Sequence, residues 1–381
     1  VAGVVLNDPD YQFLQHLSNR TKLTPEQLIV IINGKRNFFN QLLEKTFGQE
    51  AIVEGQIRRL YFDGQLRGLG HLDLSLLPNL TSLYCRNSDL KSINLSKNTN
   101  LLWLDCSGNP LRKINLSQNT SLRTLVCKAC QLNSLDLSKN INLHYLAVND
   151  NNLRQIDLNN LVNLKVFGCD NNGLESIVFP LYNKIDTLSI SYNKINSLDL
   201  RKFKRLTKFS CVSNLLEELD LSGNPLLEWF WCSKNNLRKL DLSTNNWLVG
   251  VWLDHNRLVN LLLPRSKKLR DLYLHYNYVE RLEVGMYENL ERLNCSQNLI
   301  PSLDLRNNYK LKELACSNNR LIELRLPITP EFNYLVCNRN HIKTLENLPA
   351  NFNNLQDLLT DYGQKGNPRV DNLRKNYTLY P

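Results

Sequence analysis

The sequence predicts an α/β solenoid: short stacked coils whose strands form a parallel β-sheet, with a small helical cap at the amino end. Three observations predict it. Residue types recur every 21 positions, without a slip, from Leu80 to Leu345. One pivot per coil is small or medium-sized and apolar: Cys85, Cys106, Cys127, Val148, Cys169, Ile190, Cys211, Cys232, Leu253, Leu274, Cys295, Cys316 and Cys337. Three residues after nearly every pivot stands an asparagine, from Asn109 to Asn340, with Ser88 and Cys130 as the two replacements. A strict short period marks a solenoid and overrides the two or three globular domains that 381 residues would otherwise suggest.

Each unit reads L-x-x-L-x-C/L-x-x-N-x-L, followed by x-x-L/I-x-L. The alternation around the pivot is the period of a half-buried strand. One such coil cannot bury its own apolar face, so neighbours share a core and stability becomes a sum of coil and neighbour terms. Strands about 4.8 Å apart would stack about fourteen coils into a horseshoe or arc on the order of 65 Å long, with the sheet on its concave face. The asparagine row stands where the chain leaves the strand and buried backbone groups need partners. An amide side chain offers both donors and an acceptor, so a row of them can tie successive coils together as an asparagine ladder. Replacing a central member, as in Asn214→Leu, should cost about 1–3 kcal/mol.

Taken from the amino end, residues 1–56 stand outside the repeat. Thr24-Pro25-Glu26-Gln27 reads as a helix start, with Thr24 as N-cap, and the helix is expected to run through Ile32, Phe38 and Leu42 toward Gly48. An earlier short helix is expected around Asp10–Leu17. These helices are expected to cover the apolar edge of the first coil, which would otherwise invite aggregation. A separate docking or targeting role is the second reading.

Ile57, Leu60, Phe62, Leu66, Leu69, Leu72 and Leu74 form a degenerate first coil, set 23 residues before the next, which implies a local insertion at Arg67–His71. The solenoid is expected over 57–345. Pro180, Pro264 and Pro327 fall just after the return-half apolar triplet, which suits an extended or turn-rich convex side and not long helices. After Leu345 the register fails, and 346–381 is expected to form a C-terminal cap and tail, with a short helix over Asn354–Tyr362.

The repeat resembles the leucine-rich repeats, L-x-x-L-x-L-x-x-N/C-x-L. The strand half Leu290–Asn298 and the return half Leu240–Asn245 are similar to the 21-residue repeats of internalin-like and other bacterial surface or secreted proteins. The resemblance implies a binding role, usually toward proteins, and a bacterial surface or secreted setting. It supplies no catalytic residues and no cofactor.

Nine of the ten cysteines occupy pivots and the tenth, Cys130, the asparagine row, so they read as small buried hydrophobes. The net charge is +10. Its location matters more than its total. On the strand face, Arg86, Lys128, Lys208 and Arg292 meet Asp105, Asp170, Asp254, Asp271 and Glu313, and the excess lies in the return halves. A nucleic-acid partner on the strand face is therefore not expected. No run of 18 apolar residues is present, so no membrane span is expected.

The residue before each pivot points outward. There Trp231, Trp252 and Tyr273 fall on three consecutive coils and should stack, with Trp229 on the same face and His275 and Tyr276 extending it. Asp254, Asp271, Arg270 and Arg292 supply a charged rim. Central aromatics within a polar surround are the composition of an interaction hot spot. The expected partner is a protein; a carbohydrate stacking on the same rings is the alternative. Tyr84, Trp103 and Tyr145 form a sparser second patch. Asp254, His255 and His275 could converge near one strand end, but a metal site needs three or four ligands in fixed geometry, and the sequence favours rim residues and no metal. No phosphate-binding loop, dinucleotide fingerprint or nucleophile elbow occurs, so the expected function is non-catalytic.

Overall fold

A computed structural model describes residues 6–21, 27, 52–53 and 56–346. Apart from Gln27, the helix expected from Thr24 lies outside the described residues, as does the C-terminal segment beyond residue 346 with its expected helix. The chain divides into two compact units, one ending at Lys194 and one beginning at Ile195.

The first unit opens with helix α1, Asp8–Thr21, longer at both ends than the Asp10–Leu17 expected. Asp8 and Asp10 in its first turn and Arg20 in its last complement the helix dipole. Phe13, Leu14 and Leu17 share one buried face. The Asp10 carboxylate accepts the Ile57 N–H at 3.3 Å, and Arg20 donates to the Leu69 carbonyl at 3.1 Å. The helix is thereby bonded to both halves of the first coil. Burial raises the Asp10 carboxyl above its ordinary value, with the Ile57 bond and Arg58 opposing. A short antiparallel pair, Ile52–Val53 with Gln56–Ile57, precedes the repeat and carried no signal in its period.

Seven parallel strands follow in this unit: Arg59–Asp63, Ser82–Arg86, Trp103–Asp105, Thr124–Val126, Tyr145–Ala147, Val166–Gly168 and Thr187–Ser189. Phe62 pairs with Cys85, so the first step is 23 residues, as the sequence indicates. The extra residues sit in a turn over 64–68, starting before the Arg67–His71 expected; Gly64 and Gly68 take positive φ there and Gly70 just after it. The second unit repeats the plan with Lys208–Ser210, Trp229–Trp231, Gly250–Trp252, Asp271–Tyr273, Arg292–Asn294, Glu313–Ala315 and Tyr334–Val336. Return halves are turns and three-residue strands, such as Lys239–Asp241 paired with Asn260–Leu262. In each unit the strand-half leucines and all ten cysteines are buried, and the cysteines are free thiols; the first apolar residue of the return half is half-buried in several coils, as at Leu135 and Leu219. Burial pushes the Cys85 and Cys169 thiols well above the usual range.

The turn off each strand has a fixed conformation. Two residues after the pivot, φ is positive at twelve non-glycine positions, from 50° at Asn87 to 59° at Asp150, and at Gly108 it is 70°. This left-handed residue swings the next side chain, the ladder asparagine, into the core. Asn235 is representative: its Nδ2 donates to the Cys211 carbonyl one coil back (2.9 Å) and to its own Cys232 carbonyl (3.2 Å), while its Oδ1 accepts the Leu216 N–H (3.1 Å). Cys130 keeps the inter-coil bond through its thiol, donating to the Cys106 carbonyl at 3.3 Å. Ser88 reaches only its own coil, at the Arg86 carbonyl.

A second asparagine row lies in the return halves. Asn98, Asn119, Asn140, Asn224, Asn245 and Asn308 are buried, and each donates from Nδ2 to two carbonyls of the preceding coil, as Asn245 does to Leu221 (3.0 Å) and Asn224 (2.9 Å). Their Oδ1 atoms are buried and have no partner among the described residues. Tyr287 occupies the same register and substitutes its hydroxyl, donating to the Pro264 carbonyl at 2.7 Å. In the sequence the row shows only in some coils, as at the end of the return half Leu240–Asn245, because Leu161, Tyr182, Phe203, Ser266, Tyr287 and Thr329 take its place in the others.

Candidate functional site

The 21-residue register fixes what stands beside what on the strand face of the second unit. Trp229 pairs with Gly250 and Gly250 with Asp271, while Trp231 pairs with Trp252 and Trp252 with Tyr273. The rings follow. Trp231 and Trp252 stack at 5.3 Å between centroids, and Trp252 and Tyr273 at 5.6 Å with planes 7° apart. Trp229 stacks on both Trp231 and Trp252 at 6.0 Å. All four are half-buried.

Gly250 makes this possible. A Cβ there would lie 2.5 Å from the Trp252 ring and 2.7 Å from the Trp229 ring. The missing side chain leaves the space into which both indoles lean. In the sequence Gly250 is only a neighbour of the row; nothing in its type announces the contact. Burial raises the Tyr273 hydroxyl above its ordinary value, reinforced by Asp271 and Glu313.

The charged residues are arranged differently from the rim expected. Asp271 is buried, at 3% exposure, and holds the Arg292 guanidinium at 2.6 Å with Arg270 at 3.5 Å. It therefore positions Arg292 from beneath and presents no carboxylate of its own to a partner. Arg292 also approaches Glu313, and Arg270 approaches Glu291, which binds Lys312 at 3.1 Å. Hydrogen bonding to Asp271 holds the Arg292 guanidinium firmly charged. Arg270 and Arg292 are partly exposed and remain the charged groups at the open end of the row.

At the strand ends the same register sets Asp254 beside His275 and His255 beside Tyr276. His255 Nδ1 lies 3.0 Å and His275 Nε2 3.8 Å from Asp254 Oδ2. Tyr276 stacks on His255 at 4.4 Å. Ser233, one coil back, donates to the other oxygen of Asp254 at 2.5 Å. Burial lowers the His275 pKa below its ordinary value, with Asp254 opposing. The sequence indicated this convergence and favoured rim residues; the structure brings the three ligand atoms within 4.8 Å of one another.

The second patch differs from its expectation. Tyr84 is buried, at 8% exposure, between Tyr61 (4.6 Å) and Trp103 (5.7 Å). Tyr61 belongs to the degenerate coil, where the 23-residue step pairs it with Tyr84, and is not part of the patch expected. Tyr145 is exposed but pairs with Thr124, which separates it from Trp103. Asp105, also buried, bonds Arg86 at 2.7 Å.

No family model matches the chain, and no curated protein matches it. Solved structures do. The functional domain of InlJ from Listeria monocytogenes, which includes a cysteine ladder, superposes with a TM-score of 0.57 and 26% identity over 75% of this chain and 69% of that one. A leucine-rich-repeat protein of Leptospira interrogans gives a TM-score of 0.63 and 19% identity over 90% and 97%. The effector YopM of Yersinia pestis gives 0.54 and 24% over 91% and 92%. The chain is a leucine-rich-repeat solenoid. Its stacked pivots Cys85, Cys106 and Cys127 form a cysteine ladder of its own, with the Cys106 and Cys127 sulfurs 3.2 Å apart. Among the described residues no helix is long and apolar enough to cross a membrane.

Proposed function

We propose that this leucine-rich-repeat chain is a non-catalytic protein-binding scaffold that receives its partner on the strand face of the second unit, centred on Trp229, Trp231, Trp252 and Tyr273. The observation that carries the reading is the stacked, half-buried row of four rings on three adjoining strands. Pre-stacked rings lose little freedom on docking, so the area they bury is converted to affinity at low entropic cost. Arg270 and Arg292, steadied by Asp271 and Glu291, orient the partner at one end of the row. A bacterial surface or secreted setting belongs to the same proposal and rests on the likeness of the repeats.

Carbohydrate binding by the same row is less well supported. A sugar stacks on an open ring face, whereas the inner rings here lie face against face and offer their edges. The test is a paired capture. Wild type and the Trp231→Ala/Trp252→Ala variant, matched for thermal stability, are immobilised and exposed to a cell-surface extract before and after protease treatment. The reading expects a species held by wild type, lost by the variant and destroyed by protease. Capture that survives protease supports the sugar reading, and equal capture by both proteins overturns the site.

A further inference from the structure

We propose that Asp254, His255 and His275 form a binding site for a divalent first-row transition-metal ion of the Zn2+ type. The site is built by the repeat. Asp254 and His275 hold the same position in successive coils, 21 residues apart, and His255 follows Asp254 at the left-handed turn residue, φ 55°. Two donors on one tetrahedral ion, at about 2.0–2.2 Å each, stand about 3.4 Å apart. The Asp254–His255 and Asp254–His275 separations, 3.0 and 3.8 Å, bracket that value, and all three donors fall within 4.8 Å. Two imidazoles and one carboxylate are borderline donors suited to Zn2+ and its neighbours rather than to Mg2+ or Ca2+.

Charge compensation supports the assignment. Asp105 and Asp271 are buried strand-face carboxylates, and each has an arginine. Asp254 is half-buried, and among the described residues its only basic partners are the two histidines. The His275 side chain has no hydrogen bond among the described residues, and its Nδ1 is buried. Two of the three ligands have supporting contacts: Ser233 pins the free oxygen of Asp254, and Tyr276 fixes the plane of His255. Partners of this kind orient metal ligands. Three protein donors leave a fourth position open at the edge of the aromatic row, available to water or to a side chain of a docked partner.

The test uses the full chain, stripped with a chelator, and Zn2+ or Co2+ alone. His255→Asn/His275→Gln is the principal variant, because asparagine tolerates the left-handed turn and neither ring belongs to the core. Calorimetric titration is expected to show one Zn2+ equivalent in wild type and none in the variant, with Ser233→Ala about 10–100-fold weaker. His144→Ala, remote from the site, should bind as wild type does. Co2+ should give the visible bands of nitrogen and oxygen ligation without a thiolate charge-transfer band. Equal Zn2+ binding by wild type and the double variant, no binding by either, or a thiolate band that accounts for all the bound ion would overturn the assignment.

Discussion

Two aromatic stacks sit at corresponding registers of the two units, and they are built for different work. In the first unit Tyr84 is enclosed by Tyr61 and Trp103, and the neighbouring Asp105 is sealed beneath Arg86. In the second unit four rings run with their edges open, Gly250 gives the indoles room to lean, and Asp254 has no arginine partner among the described residues. The repeat dictates where rings fall in both places. What differs is the depth of the central ring: Tyr84 is buried between half-buried Tyr61 and Trp103, whereas all four second-unit rings are half-buried. A row that keeps every ring partly open beside partly compensated charge offers more aromatic surface to a ligand.

The comparison breaks most visibly in binding. Trp231→Ala/Trp252→Ala should weaken partner binding by at least about 30-fold, about 2 kcal/mol, whereas Trp103→Ala should leave it within about twofold. Surface plasmon resonance against the captured partner decides between them. In stability the order reverses. Arg86→Leu leaves Asp105 buried without its cation and should cost about 2–3 kcal/mol, discounted because the Arg86 side chain is itself 40% exposed. Asp254→Asn should cost less than about 1 kcal/mol, since no arginine is abandoned. Chemical unfolding of each variant, with hydrogen exchange at the altered coil, reads both.

The two asparagine rows invite the same contrast. Asn214→Leu removes the acceptor of the Ile195 N–H (3.0 Å) and the donor to the Cys211 carbonyl (3.2 Å), and should cost about 1–3 kcal/mol. Asn245→Leu should cost less, because the fold already accommodates Leu161 in that register and the Asn245 Oδ1 bonds nothing. Smaller again is the turn row. Lys234→Gly relieves a left-handed lysine at φ 57° and should stabilise the chain by up to about 1 kcal/mol.

The amino-terminal helix adds a pH effect. Burial raises the Asp10 carboxyl in the folded state, so its stabilising contribution is complete below the ordinary value of 3.8 and is lost as pH rises through the raised value. Asp10→Asn, which keeps an acceptor for Ile57, should therefore raise the melting temperature at pH 7 and flatten its pH dependence in the acidic range.

The fold was legible because each coil repeats one demand: a small pivot, an inward amide and flanking leucines. The Trp231–Trp252–Tyr273 row followed from the same register. Other features depend on neighbours that a period cannot encode. Asp271 is buried because Arg292, one coil on, lies across it, and both residues had read as rim charges. Tyr61 pairs with Tyr84 across the 23-residue step, but it lies outside the regular coils whose register aligns the other rings. The return-half asparagines are interrupted by Leu161, Tyr182, Phe203, Ser266, Tyr287 and Thr329, so their common role emerges only from their bonds. Gly250 carries no chemistry, and its importance lies in the rings above it.

The most direct measurement is a hydroxyl-radical footprint of the full chain with and without its captured partner. Protection should concentrate on the edges of Trp229, Trp231, Trp252 and Tyr273, with Tyr61, Tyr84 and Trp103 unchanged. Protection confined to the first-unit stack or to return-half residues such as Trp247, with the four rings reacting as in the free protein, would contradict the assignment of the strand face as the binding surface.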